Sequence, residues 1–239
     1  MNRVAFLSLL AGAVIACMVA PASSPGAPAK KRVLIIGDSI AVGFILGDST
    51  STGYAPLVRD LMADNAVVLW PTTADGKPEN GCGTKFGVQN IDRWLQTGGG
   101  KWDVIHFNWG LHDLKHETAD GKPSELETDP LQSTVEAYEK QLRVLVKKMK
   151  ATGAKLIFAT STPVPEGKLK PFRSGADVVR YNEAALRVMK ENRIAVDDLY
   201  AFIKPKMAEL QLPANVHFNA EGCKALAEEV AKSVKAALK

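Results

Sequence analysis

Arg32-Val33-Leu34-Ile35-Ile36-Gly37-Asp38-Ser39-Ile40 is the stretch that decides the fold. Four aliphatic residues in a row, closed by a glycine, read as a short buried strand. Working outward, the same signal returns at Ala66–Trp70, Asp103–Phe107, Ala154–Ala159 and Ile194–Val196. Between these strands lie stretches with apolar residues at helical spacing: Tyr54–Asp64, Val88–Leu95, Leu131–Thr152, Ala176–Asn192, Leu199–Leu210 and Ala220–Leu238. Strand alternating with helix along the chain predicts an α/β fold: a three-layer α/β/α sandwich around a central, mostly parallel five-stranded sheet.

The N-terminus reads differently. Arg3 precedes an apolar run from Val4 to Ala16, too short for an ordinary membrane span, and Ala20-Pro21-Ala22 supplies small residues before a cleavage point. Residues 1–22 are therefore expected to be a signal peptide, and residues 23–31, rich in Pro, Ala, Ser and Lys, a flexible tether. The folded domain is expected over 32–239, in an exported protein that is periplasmic or extracellular. Val14-Ile15-Ala16-Cys17 also has the form of a loose lipobox, which leaves a lipid anchor at Cys17 open as an alternative to simple cleavage. No other segment is long and apolar enough to span a bilayer, so no membrane span is expected after processing.

Composition narrows the class. Apolar residues at 46% and charged residues at 23% fit an ordinary globular domain, and a net charge of +4 without a basic run reads as a solvated surface. A nucleic-acid partner is not expected. Besides Cys17, only Cys82 and Cys223 remain, a pair that tends to bridge in an oxidising compartment. No CxxC or HExxH spacing is present, so no metal site is expected.

In open parallel sheets, ligands bind beyond the carboxyl ends of the strands. The segments there are Gly37-Asp38-Ser39-Ile40, the Asn80-Gly81-Cys82-Gly83 loop, and Asn108-Trp109-Gly110-Leu111-His112-Asp113; Asn215-Val216-His217-Phe218 precedes the last helix. A serine hydroxyl becomes a useful nucleophile only with a base in reach and donors aimed at the developing oxyanion. Ser39 ends the first strand at a glycine turn, and His217 is the one of four histidines that lies away from the cluster of His106, His112 and His116. A nucleophile elbow of the α/β-hydrolase kind would come after several strands, and neither a Gly-Lys-Ser/Thr nor a G-x-G-x-x-G pattern is present for a nucleotide.

These four blocks, in this order, resemble those of the SGNH (GDSL-like) hydrolases over Arg32 to the C-terminus. Gly37-Asp38-Ser39-Ile40 is similar to the family's GDS(L/I) block, Gly110-Leu111-His112-Asp113 to its GxND block, and Val216-His217-Phe218-Asn219 to its histidine block. Lys101–Lys115 resembles an exported bacterial esterase-like subgroup. The resemblance implies Ser39 as nucleophile and His217 as general base. It also implies an oxyanion site made of the Ser39 N–H, the Gly83 N–H (with Gly81 as the alternative) and the side chain of His112. Asn108 is a rival donor to His112. Asp113, like Asp38, reads mainly as a carboxylate tying loops to backbone N–H groups. A Cys82–Cys223 disulfide would clip the oxyanion loop to the helix after the base.

The chain departs from the pattern twice. His112 stands where the family has asparagine, and a neutral imidazole can still donate one N–H. The aspartate usual three residues before the histidine is Ala214, with Asn215 two before. The partner of His217 is thus open between a backbone carbonyl, Asn215 and an acid from another loop. The function implied is serine-dependent hydrolysis of a carboxylic ester, without a cofactor. The polar stretch from Trp109 to Pro130 suits a short acyl group on a carbohydrate or similar polar alcohol. The alternatives are a non-catalytic carbohydrate- or ester-binding relic, and a lysophospholipase or thioesterase.

Overall fold

The computed structural model describes residues 29–46, 49–167 and 169–239; the expected signal peptide, Cys17 and the tether up to residue 28 lie outside them. Strand β1 runs Lys31–Ile36, so the last expected tether residue already belongs to the sheet. Val33 to Ile36 have no exposed surface, as a strand covered on both faces requires. It sits inside a five-stranded sheet with β4 (Ala66–Leu69) on one side and β5 (Val104–Phe107), β6 (Lys155–Ala159) and β7 (Ala195–Asp197) on the other. Every pairing in this sheet is parallel. The chain leaves β1 towards β4 and then crosses back to β5. The crevice between the ends of β1 and β5 is the switch point where such sheets bind ligands.

Helices cover both faces. α3 (Thr84–Trp94), α4 (Val135–Lys150) and α5 (Gly175–Asn192) pack in sequence on one side; α2 (Ala55–Leu61) packs with α8 (Ala220–Leu238) on the other. Their starts are set by side-chain caps on orphan N–H groups: Thr134 for α4, Ser174 for α5 and Asn219 for α8. The helix expected over 131–152 therefore begins only after Thr134. α3 starts four residues ahead of the expected Val88. The helix expected over Leu199–Leu210 is broken into α6 (Leu199–Ile203) and α7 (Met207–Leu210) by a 3₁₀ turn at Lys204–Lys206, where Pro205 lacks the N–H a continuous helix needs.

One element after β1 has no counterpart in the sequence expectations, the hairpin that follows a helical turn. A single helical turn, α1 (Ser39–Val42), follows β1, and an antiparallel hairpin of β2 (Phe44–Leu46) and β3 (Ser49–Ser51) follows that. Gly43 joins them at φ 82°, and a Cβ there would lie 2.3 Å from the Ser51 carbonyl oxygen, so only glycine fits.

Candidate active site

The first strand delivers Ser39 to the switch point. Asp38 caps α1, its carboxylate accepting the Ile40 N–H at 2.9 Å, which fixes the turn that lifts Ser39 off the end of β1. Asp38 is 3% exposed. Burial raises its pKa, against the pull of the Ile40 N–H and the Arg173 charge. Ser39 itself stays half-buried and lines an open cavity of about 500 Å³.

His217 comes to the same cavity from the loop before α8. Its Nε2 lies 2.7 Å from Ser39 Oγ. Its Nδ1 lies 2.6 Å from Asn215 Oδ1, and the His217 backbone N–H reaches the same oxygen at 3.1 Å. The backbone donor identifies that atom as the amide oxygen, since an NH₂ group there would face an N–H. The oxygen then accepts from Nδ1–H, which leaves the Nε2 lone pair facing the serine hydroxyl. Of the three partners left open by the sequence, Asn215 is the one in place. Ala214, where the family has its acid, carries φ 51°. Phe44 of the hairpin closes the imidazole's flank, with ring centroids 4.0 Å apart. Burial, and then the nearby Arg173 charge, lower the His217 pKa to about 4, so the ring is neutral at physiological pH.

The other expected residues are placed unevenly. His112 lines the cavity and is held neutral: burial first, then the charges of Arg173, Lys115 and His217, bring its pKa to about 3. Asn108 is not free to act as a donor, because its amide is committed to the Ala159 carbonyl at 2.8 Å and to Ser161 Oγ at 3.4 Å. Gly83 is a correction. It is buried at the N-cap of α3, packed against the Asp113 carboxylate, and does not line the cavity. Gly81, the alternative, gives its N–H to the Gly37 carbonyl at 2.8 Å. The residue of that loop on the cavity wall is Asn80, whose Oδ1 accepts the Cys82 N–H at 2.8 Å, leaving its NH₂ uncommitted among the described residues. Asp113 accepts the Thr84 N–H at 2.9 Å. Burial raises its pKa to about 7 despite the Thr84 hydrogen bonds.

The disulfide is a second correction. Cys82 and Cys223 are both free thiols. Cys223 Sγ turns to Ser51 Oγ at 3.3 Å and to the Phe218 carbonyl at 3.7 Å, so it ties α8 to the hairpin rather than to the Cys82 loop. Cys82 sits at φ 47°, held by Asn80. Arg173, which no sequence pattern singled out, also lines the cavity from the segment between β6 and α5. Buried arginines carry no periodic signature; only its position just ahead of the Ser174 cap could have drawn notice.

Comparison with known proteins agrees with this geometry. The family profile of the GDSL-like Lipase/Acylhydrolase family matches residues 35–225. Among solved structures, the chain is similar to a lipase/acylhydrolase from Enterococcus faecalis, with a TM-score of 0.65 at 20% identity, covering 86% of this chain and 96% of that one. It is similar to the acetyl xylan esterase AlAXEase (TM-score 0.63, 18% identity, 85% and 99% covered). It is also similar to Axe2, an acetylxylan esterase from Geobacillus stearothermophilus (TM-score 0.64, 18% identity, 85% and 94% covered). No curated protein matches by sequence. The structural likenesses carry the fold; the profile, spanning both Ser39 and His217, carries the class. The chain belongs to the GDSL-like lipase/acylhydrolase family. It is accordingly a hydrolase acting on ester bonds.

Proposed function

We propose that the enzyme cleaves a short acyl group, acetyl being the simplest, from a carbohydrate or similar polar alcohol through an acyl-enzyme on Ser39. The observation that carries this reading is the chain Ser39 Oγ to His217 Nε2 at 2.7 Å and His217 Nδ1 to Asn215 Oδ1 at 2.6 Å. His217 takes the serine proton as Oγ attacks the ester carbonyl, then returns it to the departing alcohol. Water, deprotonated by the same imidazole, releases the acid. Asn215 holds the ring in the working tautomer, as the asparagine of Cys-His-Asn sites does. It brings no full negative charge to the imidazolium. The developing oxyanion is met by the Ser39 N–H, the Asn80 NH₂ and one N–H of His112.

The small-acyl, polar-alcohol preference is supported by the open cavity, by the polar stretch after β5, and by the acetylxylan esterases among the structural neighbours. Purified protein is expected to hydrolyse p-nitrophenyl acetate, with Ser39→Ala reducing the rate by on the order of 10⁴-fold or more; equal rates for the two proteins sink the mechanism. Acetylated sugars are expected to outperform long-chain esters, and the reverse order overturns the substrate class. Export is part of the same proposal, resting on Arg3 and the apolar run that follows it. N-terminal sequencing of the secreted or membrane-associated product distinguishes cleavage after Ala22 from lipidation at Cys17, and recovery of the intact chain in the cytosol defeats it.

A further inference from the structure

Arg173 has no task in the reaction as described, yet it occupies the wall of the reaction cavity. It is 8% exposed. Its Nε donates to the Leu111 carbonyl at 2.7 Å and its Nη1 to the Pro171 carbonyl at 3.4 Å. Nη2 has no hydrogen-bond partner among the described residues. Both acceptors are neutral backbone groups, and no carboxylate among the described residues lies within ion-pairing distance of the guanidinium. The Asp38 charge acts on it from beyond that distance, and Asp38 itself caps the Ile40 N–H through Oδ1. Two neighbouring cations among the described residues are already paired: Lys170 with Glu125 at 2.9 Å and Lys115 with Glu117 at 3.0 Å.

A buried guanidinium normally has a carboxylate against it, because desolvation of an unpaired charge is expensive. The cost shows here in a pKa drawn down to about 10. The protein supplies no such partner, and Arg173 lines the cavity that also holds Ser39 and His217. A planar guanidinium with one nitrogen free and a second held only weakly fits the two oxygens of a carboxylate.

We infer that Arg173 recognises a carboxylate on the ester substrate, so that the preferred substrates are acylated acidic alcohols, with acetylated uronic acids the fitting class. The inference rests on the esterase reading and narrows it. It also bears on the missing acid. Arg173 stands close enough to His217 to oppose its protonation. A substrate carboxylate on Arg173 removes that opposition at the moment the imidazolium forms, so the substrate's charge raises kcat as well as lowering KM.

The test compares two esters of equal size, glucuronic acid and its uncharged glucuronamide, each mono-acetylated at the same hydroxyl. The wild-type enzyme is expected to favour the acid by about 10- to 100-fold in kcat/KM. In Arg173→Gln the ratio between the two esters falls to near one, and Arg173→Lys keeps part of it. Should either variant fold poorly, free glucuronate inhibiting the wild type more strongly than glucuronamide gives the same answer. Equal wild-type rates on the two esters, or equal inhibition by the two sugars, overturn the inference and leave the esterase reading standing. Hydrolysis of neither ester nor of p-nitrophenyl acetate sinks both.

Discussion

His106 and His217 each pair one ring nitrogen with an acceptor side chain, Asp197 and Asn215, and the two pairs have opposite strengths. His106, on β5, reaches Asp197 Oδ2 at the end of β7 with Nε2 at 3.1 Å, spanning β6. It has the carboxylate partner of a catalytic histidine but no exposed surface, and its Nδ1 has no partner among the described residues. His217 has only the amide of Asn215, yet stands half-buried on a cavity with a serine hydroxyl at 2.7 Å. A histidine–carboxylate contact inside the core is a strut between strands. Catalytic competence comes from a lone pair aimed at a nucleophile where a substrate can enter.

Two sets of variants press on this difference, and the largest effects lie at the cavity. His217→Ala should lower kcat by on the order of 10⁴-fold or more. Combining it with Ser39→Ala should cost little further, because the two groups act as one unit. Additive losses in p-nitrophenyl acetate assays would argue that they work separately. Asn215→Ala should cost about 10- to 10³-fold in kcat by freeing the ring to turn. Asn215→Asp makes His217 resemble His106 in its partner. The wild-type His217 titrates near 4, so kcat/KM should hold from neutrality down to about pH 5 and fall as the ring protonates below that. A carboxylate at 215 favours the protonated ring and should move this acid limb upward; a limb that stays in place shows that residue 215 does not contact the working imidazole.

A smaller effect is expected on the flank of the ring. Phe44→Ala removes the face packed against His217 at 4.0 Å and should lower kcat several-fold, with Phe44→Leu retaining more. Because the Ser39 and Asn215 contacts persist, a loss as large as that of His217→Ala would assign Phe44 a larger part than packing.

How much of this was legible in the sequence follows from where each signal is written. Buried parallel strands such as Val33–Ile36 announce themselves by unbroken aliphatic runs, and the five strands are found within a residue or two. Ser39, His112 and His217 come from short blocks that keep their order along the chain, and the cavity gathers all three. The hairpin was missed because its strands are three residues each, too short for a period to show. Phe44-Ile45-Leu46 followed by Gly47-Asp48 was the available cue. Gly83 failed as the cavity donor because residues along one tight loop take different positions: Asn80 lines the cavity, whereas Gly83 sits buried at the N-cap of α3, and no local pattern separates the two. The cysteine pair failed for a related reason: both loops rise to the same rim, but Cys223 faces the hairpin. Arg173 owes its place to long-range packing of the segment before α5 against the Leu111 carbonyl, which no local pattern encodes.

The smallest expected effect on turnover is at the core pair, and it completes the contrast. Asp197→Ala strips His106 of its partner and leaves a fully buried imidazole with no hydrogen bond at either nitrogen. Removing one member of a buried hydrogen-bonded pair costs about 2–4 kcal/mol of stability. The loss is read as a lowered denaturation midpoint with an unaltered urea m-value. The Asp197 carbonyl still accepts the Thr160 N–H, so β7 keeps that tie to the end of β6. Turnover per folded molecule should then stay within about twofold of wild type, since neither residue lines the reaction cavity. A collapse of kcat in a variant that remains folded would mean that the buried pair feeds the site, and that burial is no guide to which of the two histidines works.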